Sequence, residues 1–90
     1  MKEQYFHIIG RHGCSYCTHA ERLLKEKGLD FTTDIHDRGA SELNEAKKQY
    51  NWNTVPIINH VMVAQDGTIH HHFVGGFSDL VAYLRGGSVV

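Results

Sequence analysis

The first third of the chain alternates strand, helix and strand, and this order restricts the fold more than any other feature. An aromatic and β-branched run at residues 5–9, closed by Gly10, predicts a buried strand. Apolar residues at helical spacing predict an amphipathic helix over residues 15–27, ended by Gly28. Residues 29–35 predict a second strand. Because a helix joins the two strands, we expect them to be parallel, with a right-handed crossover.

The middle of the chain predicts a helix and then a hairpin. Residues 41–50 carry apolar side chains at helical spacing. A strand is predicted to begin at Val55 and to extend as far as Ala64. An Asp-Gly pair within residues 65–68 favours a tight turn, and residues 69–74 predict the returning strand.

The last element is a predicted helix that ends near residue 85, with Ser78 as its N-cap. Residues 86–90 are expected to form a frayed tail. The complete order is βαβ-α-ββ-α, which predicts an α/β fold with a four-stranded mixed sheet flanked by three helices. With 90 residues, the chain is expected to form one domain over residues 1–90.

Composition and charge exclude several classes of protein. A hydrophobic fraction of 41% is ordinary for a globular protein, and a net charge of −1 gives no attraction to nucleic acid or to an anionic membrane. No apolar run approaches the roughly 20 residues that span a bilayer, and the polar N-terminus is not followed by a signal-peptide hydrophobic stretch. We therefore expect a cytoplasmic monomer with no nucleic-acid or membrane partner.

Two cysteines, Cys14 and Cys17, lie at the junction of the first strand and the first helix. A bridge between them closes a very short loop, so it would contribute little to stability. The N-terminus of a helix favours a thiolate, and a thiolate is the attacking species in disulfide exchange. Cys14, nearer the helix tip, is the expected nucleophile and Cys17 the resolving thiol. The alternative is half of a zinc site completed by histidines such as His12 and His19.

Three motifs, in order, resemble those of the glutaredoxin family. The sequence C-S-Y-C at residues 14–17 is similar to the family's C-P-Y-C, and T-V-P at residues 54–56 is similar to a segment whose proline is cis. G-G-F-S-D-L at residues 75–80 resembles the family's G-G-x-S-D-L. The resemblance covers about residues 5–84. It implies a thioredoxin-like fold and a glutathione-dependent oxidoreductase that reduces protein disulfides and glutathione mixed disulfides.

The resemblance also implies a glutathione site. The Val55 backbone, exposed beside a cis Pro56, would pair with the cysteine residue of glutathione as an added strand does. A helix N-terminus with Ser78 and Asp79 would hold the γ-glutamyl group, and Arg11 would meet the glycine carboxylate. The predicted ligand-binding residues are Arg11, Tyr16, Thr54, Val55, Pro56, Gly76, Ser78 and Asp79.

Other features bear on partners and cofactors. The family also uses a side chain of the second helix for the glycine carboxylate, and the candidates are Lys47, Lys48 and Gln49. Glutathione would be a cosubstrate, no bound cofactor is obligatory, and the expected protein partners contain disulfides or glutathionylated cysteines.

Two alternative functions keep the same fold. Ser15 stands where many family members have proline, and some members with this serine bridge a [2Fe–2S] cluster between two protomers, with the first cysteine as ligand. The other alternative is a redoxin reduced by a flavoenzyme, which donates electrons to a reductase such as ribonucleotide reductase. The hairpin at residues 57–74 is longer than is usual in the family.

The remaining histidines and the tryptophan have simpler interpretations. His12, His19 and the three histidines at residues 70–72 are expected to be surface residues. Trp52 is expected to pack in the core, and the alternative is a place at the edge of the site near Thr54.

Overall fold

The computed structural model describes residues 3–86, which form the seven elements in the predicted order. Most of the tail predicted for residues 86–90 lies outside this range. Within the described range, no helix combines the length and the apolar character that crossing a membrane requires. The elements are β1 (Glu3–Arg11), α1 (Ser15–Glu26), β2 (Phe31–His36), α2 (Ser41–Tyr50), β3 (Ile57–Val63), β4 (Ile69–Gly75) and α3 (Phe77–Leu84).

The four strands form one mixed sheet in the order β2-β1-β3-β4. β1 and β2 are parallel, as the helical connection predicts, whereas β3 is antiparallel to both β1 and β4. The predicted four-stranded mixed sheet with three helices is therefore confirmed. Because β1 is an interior strand, the segment that follows it emerges in the middle of the sheet edge, between β2 and β3.

Helices cover both faces of the sheet, and each face has its own apolar cluster. On one face, Ala20 and Leu24 of α1 and Leu80 of α3 pack against Phe6 and Ile8 of β1. On the other face, Leu43 and Ala46 of α2 pack against Ile9 of β1 and Ile57 of β3. The strands alternate between the two clusters because successive side chains point to opposite faces of a sheet.

Two strands begin later than predicted. β2 begins at Phe31, because the backbone before it completes the end of α1. There the Leu29 N–H donates to the Leu24 carbonyl at 2.9 Å, and Gly28 has a φ of +70°. These are features of a Schellman end, so Leu29 belongs to the cap and not to the strand. β3 begins at Ile57, after the Val55–Pro56 peptide.

The predicted N-cap of α3, Ser78, is wrong. The N-cap is Gly76, and Ser78 lies inside the first turn. The Gly76 N–H donates to Oδ2 of Asp79 at 2.9 Å, so a side chain from the third helical position satisfies the backbone at the helix start. This carboxylate also lies near the positive end of the helix dipole, which favours a negative charge.

A polar contact anchors the other end of α3 to the sheet. His60 of β3 stacks on Phe6 with ring centroids 4.4 Å apart. Its Nδ1 lies 2.6 Å from the Tyr83 hydroxyl, and its Nε2 lies 2.8 Å from Oε1 of Gln4. In the neutral ring, the Tyr83 hydroxyl donates to Nδ1 and the Nε2–H donates to Gln4, so both nitrogens are satisfied. This contact fixes α3, whose opposite end contributes to the groove described below.

This anchor makes stability depend on pH. Burial, followed by the charge of the neighbouring His72, lowers the pKa of His60 below its ordinary value of 6.5. The unfolded chain therefore binds a proton on His60 more readily than the folded chain does. The contribution of neutral His60 to the free energy of unfolding is complete above pH 6.5 and is lost as the pH falls through the pKa of the folded protein.

We expect the free energy of urea unfolding between pH 7 and pH 5 to show a smaller pH dependence in His60→Phe than in the wild type. Substitution of the exposed His71 by glutamine is the control, and an unchanged slope in His60→Phe would contradict the assignment.

Candidate active site

A groove of about 940 Å³ lies where the end of β1, the N-termini of α1 and α3, and the segment before β3 meet. It contains Cys14 and all eight residues predicted to bind a ligand. Three separate parts of the chain, each with one of the predicted motifs, therefore converge on one surface. Its full lining is Arg11, Gly13, Cys14, Ser15, Tyr16, Lys47, Trp52, Asn53, Thr54, Val55, Pro56, Gly76, Phe77, Ser78 and Asp79.

The two cysteines form a disulfide at the start of α1, with their Cα atoms 5.3 Å apart. Cys14 is the N-cap residue, and its Sγ accepts the Cys17 N–H at 3.1 Å. In the reduced protein, the same N–H and the helix dipole would stabilise a thiolate on Cys14. Cys14 lines the groove, whereas Cys17 lies deeper, with 3% exposure against 9% for Cys14. The first sulfur is therefore the one that an incoming disulfide reaches first.

Cys17 lies directly above Gly10 of β1. A Cβ atom at position 10 would stand 2.5 Å from Sγ of Cys17, which is closer than a Cβ atom approaches another side chain, and a tight 3.3 Å from the Cβ of Cys17. Only glycine leaves room for the second sulfur here. This requirement explains why the apolar run of the first strand ends in Gly10.

The Val55–Pro56 peptide bond is cis, as the resemblance implies. Pro56 is fully buried, while Val55 is partly exposed and lines the groove with Thr54. The segment therefore faces the cysteines across the groove while its proline packs into the protein.

The start of α3 forms the anionic side of the groove. Ser78 and Asp79 are exposed there, and Gly75, with a φ of +121°, turns the chain from β4 into the helix. A Cβ at position 75 would stand 2.6 Å from Oδ2 of Asp79. The two glycines of the motif therefore allow this carboxylate to fold back over the helix start and bond to Gly76.

Arg11 and Lys47 are the two cations that line the groove. Arg11 is the last residue of β1, and its Nη1 donates to the His12 carbonyl at 3.2 Å. Of the three candidates on α2, Lys47 lines the groove, whereas Lys48 and Gln49 do not. The groove thus combines two cations with one carboxylate beside the reactive sulfur.

Two further aromatic residues line the groove: Trp52, for which the core was the favoured prediction and the site the alternative, and Phe77, for which no role was predicted. Trp52 packs in the α2-side cluster against Phe73, with centroids 5.3 Å apart, as its core assignment predicts, but it also lines the groove. Its Nε1 is buried and has no hydrogen-bond partner within residues 3–86. Phe77 packs beside the rings of Tyr16 and His19 at the edge of the groove. The sequence places Trp52 near the T-V-P motif and Phe77 directly before S-D-L, and this proximity is the only signal in the sequence that either residue belongs to the groove.

The histidines predicted to be surface residues are exposed. They include His12, whose Nε2 is 3.8 Å from the Asp37 carboxylate, and the three histidines of β4. Within the described part of the chain, no three histidine, cysteine or acidic side chains are grouped so as to hold a metal ion.

Comparisons with known proteins agree on one family and one fold. The glutaredoxin family model matches residues 5–60, more than half of the chain. A solution structure of glutaredoxin from Brucella melitensis is 31% identical, with a TM-score of 0.63 over 94% of this chain and 83% of that one. A crystal structure of Francisella tularensis glutaredoxin 1 complexed with cacodylate is 24% identical, with a TM-score of 0.72 over 98% and 100% of the two chains. No curated protein matches the sequence.

The fold extends to thioredoxins as well. A solution structure of a thioredoxin from Thermus thermophilus is 17% identical, with a TM-score of 0.50 over 97% of this chain and 75% of that one. The thioredoxin-like fold expected from the sequence is therefore confirmed.

The glycine at the start of α3 provides a test of this local geometry. In Gly75→Ala, the positive φ costs about 1–2 kcal/mol, and the clash with the Asp79 carboxylate adds a further loss of about 1–3 kcal/mol. Gly67→Ala is the matched control, because Gly67 has a φ of +89° but has no atom within 4 Å of a new Cβ. We expect urea denaturation to show a clearly larger loss for Gly75→Ala. Equal losses would mean that the carboxylate does not need the space that glycine leaves.

Proposed function

Because this chain belongs to the glutaredoxin family and is a thiol–disulfide oxidoreductase, we propose that glutathione is its reductant and that its substrates are glutathionylated and disulfide-bonded proteins. The observation that carries the proposal is the charge pattern of the groove. The groove that contains Cys14 is lined by two cations, Arg11 from β1 and Lys47 from α2, and by the carboxylate of Asp79 from α3. Glutathione has two carboxylates, one ammonium group and a central thiol, so its charges match this pattern.

The proposed binding mode uses backbone groups as well as charges. The segment from Thr54 to Pro56 lies across the groove from the cysteines, and it is available to pair with the extended backbone of the tripeptide. Asp79 would accept the ammonium group, while the N–H groups at the start of α3 would hold the adjoining carboxylate. Arg11 and Lys47 would hold the glycine carboxylate. Tyr16 would cover the sulfur from the solvent side.

The monothiol reaction has two exchange steps. The Cys14 thiolate attacks the glutathione sulfur of a mixed disulfide, and the polypeptide leaves as a thiolate that takes a proton from water. The product is a Cys14–glutathione disulfide. The thiolate of a second glutathione then attacks the bound glutathione sulfur, which yields oxidised glutathione and regenerates the Cys14 thiolate. One free glutathione is oxidised from thiol to disulfide while the polypeptide sulfur is reduced from disulfide to thiol, so atoms and electrons balance.

The dithiol reaction serves protein disulfides. The Cys14 thiolate attacks one sulfur of the substrate disulfide, forms a mixed disulfide and releases the other substrate sulfur as a thiolate. The Cys17 thiolate then attacks Sγ of Cys14, and the second substrate sulfur leaves as a thiolate; both released thiolates take protons from water. The Cys14–Cys17 disulfide that results is the state seen in this structure. Two glutathione molecules reduce it in two further exchanges. None of these steps needs a bound metal or organic group, and one chain is sufficient. The proposal implies a compartment with abundant glutathione, such as the cytoplasm.

The first experiment measures glutathione-dependent release of a peptide from its mixed disulfide with glutathione. We expect Cys14→Ser to be inactive because it lacks the attacking sulfur, and Cys17→Ser to remain active through the monothiol reaction. A dithiol-dependent protein disulfide should require both cysteines. Turnover with a flavoenzyme reductase but none with glutathione would overturn the proposal and favour the alternative redoxin function.

Removing the charge of Asp79 tests the binding mode separately. Asp79→Asn keeps an oxygen that can accept the Gly76 N–H but loses the charge that would pair with an ammonium group. Since the side chain is exposed, we expect a loss of about 1 kcal/mol, seen as a roughly fivefold rise in the KM for glutathione at a similar kcat. Asp30→Asn, also exposed but outside the groove, is the control. An unchanged KM in Asp79→Asn would show that this carboxylate does not bind the cosubstrate.

A further inference from the structure

A second groove begins where the first one ends. It has a volume of about 370 Å³ and is lined by His19, Arg22, Leu23, Glu26 and Phe77. Four of these residues belong to α1, and Phe77 is the first residue of α3, so we call this surface the α1–α3 groove. Phe77 lines both grooves, and the α1–α3 groove is therefore continuous with the candidate active site.

Three aromatic rings form the rim between the two grooves. The ring centroids of Tyr16, His19 and Phe77 lie 5.8–6.0 Å from one another. Among residues 3–86, Tyr16 is one of two large hydrophobic residues that are exposed, at 59%. An exposed tyrosine in a cluster of rings beside a reactive sulfur is typical of a surface that contacts a partner.

On the basis of the proposed function, we propose that the α1–α3 groove binds the polypeptide half of a mixed-disulfide substrate. Glutathione, if bound as above, lies between Cys14, Val55 and Asp79, on the other side of the rim. The second half of the disulfide must leave Cys14 in another direction. Two smaller grooves are near: one is lined by Cys14, Cys17 and Glu21 among others, and the other, the α1–α3 groove, is the one that adjoins the aromatic rim. Its occupant is an extended segment with an apolar side chain over Leu23 and Phe77 and a carboxylate beside Arg22.

The spacing along α1 predicts which substrate residues make these contacts. His19 is five residues beyond Cys14, or about 7.5 Å along the helix axis, and Leu23 is nine residues beyond it, or about 13.5 Å. An extended peptide advances about 3.3 Å per residue. A substrate residue two positions from the target cysteine would therefore lie near His19, and one four positions away would lie near Leu23.

The charges of the groove favour an acidic neighbour. Arg22 is exposed and forms no ion pair with any residue of the described range 3–86, although Glu26 lies one turn further along the helix. The end of the groove near the rim has His19 and no carboxylate. A substrate carboxylate beside Arg22 would therefore meet an unpaired cation, whereas a lysine at that position would meet a like charge.

Three glutathionylated peptides test the proposal, each with its cysteine separated by glycines from a variable pair of residues. The leucine of each charged pair is four positions from the cysteine and the aspartate or lysine is three positions from it, closer to Arg22 than to Glu26; the third peptide has Gly-Gly at these positions, and the set is made with the pair on either side. We expect the wild type to show a kcat/KM about fivefold higher for Leu-Asp than for Leu-Lys on at least one side. We expect Arg22→Glu to reverse this order. The Gly-Gly peptide should be the slowest of the three for the wild type.

Controls separate this proposal from the proposed function. Lys25→Glu makes the same charge change on α1 outside the groove and should keep the wild-type order. The mixed disulfide of glutathione and 2-mercaptoethanol has no polypeptide half, so Arg22→Glu should reduce it at the wild-type rate. If this small substrate is turned over but the wild type treats the three peptides alike, the α1–α3 groove is not a substrate site. If the wild type turns over none of the four with glutathione, the proposed function itself fails.

Discussion

The close packing of Cys17 on Gly10 determines where the reactive sulfur lies. β1 is an interior strand with hydrogen bonds to β2 on one side and to β3 on the other, so the backbone at its end is held by neighbours on both sides. Because Gly10 has no side chain, the first turn of α1 can approach this strand until Cys17 fills the space. Ala20 and Leu24 continue the same contact along the helix and are fully buried. The position of Cys14 therefore depends on the packing of a whole helix and not on the loop that precedes it.

The opposite wall of the groove depends on α3, which is fixed at both ends by polar contacts and in the middle by Leu80. At its start, Asp79 accepts the Gly76 N–H. At its end, Tyr83 bonds to His60, which in turn stacks on Phe6 of the central strand. The carboxylate that gives the groove its negative side is thus held within the same helix-start geometry that requires glycine at position 75. A substitution that moves the Asp79 carboxylate therefore also changes the backbone at the start of α3, and a substitution at Gly75 also moves the carboxylate.

Much of this arrangement is predictable because the signals are local. The helix at residues 41–50 was predicted with its observed bounds, and the motifs at residues 14–17, 54–56 and 75–80 each lie at an element boundary. The errors have local causes as well: Leu29 bonds back to α1, and Asp79 takes the capping role expected of Ser78. These cases depend on which of two nearby polar groups reaches the backbone, and a pattern of residue types does not decide that.

Side-chain contacts between residues far apart in the sequence could not be predicted, for a different reason. His60 and Tyr83 are 23 residues apart, and nothing in either segment indicates the other. The same holds for Phe77, whose place on the rim follows from how α3 packs beside α1. Such residues acquire a role only when the complete fold brings them together.

The rim of Tyr16 and Phe77 has a consequence for the order of events in exchange. A mixed disulfide has one constant half and one variable half, and the two grooves differ accordingly. The larger groove would offer several charges and a backbone segment to a tripeptide of fixed charge, whereas the α1–α3 groove offers Arg22, Glu26 and a small apolar surface. In the proposed monothiol reaction, the polypeptide departs after the first attack while glutathione stays bonded to Cys14. Weak binding of the departing half allows rapid release, and strong binding of the retained half keeps its sulfur aligned for the second attack. A division of the surface into a strong and a weak groove therefore suits the two-step reaction better than two equally strong grooves would.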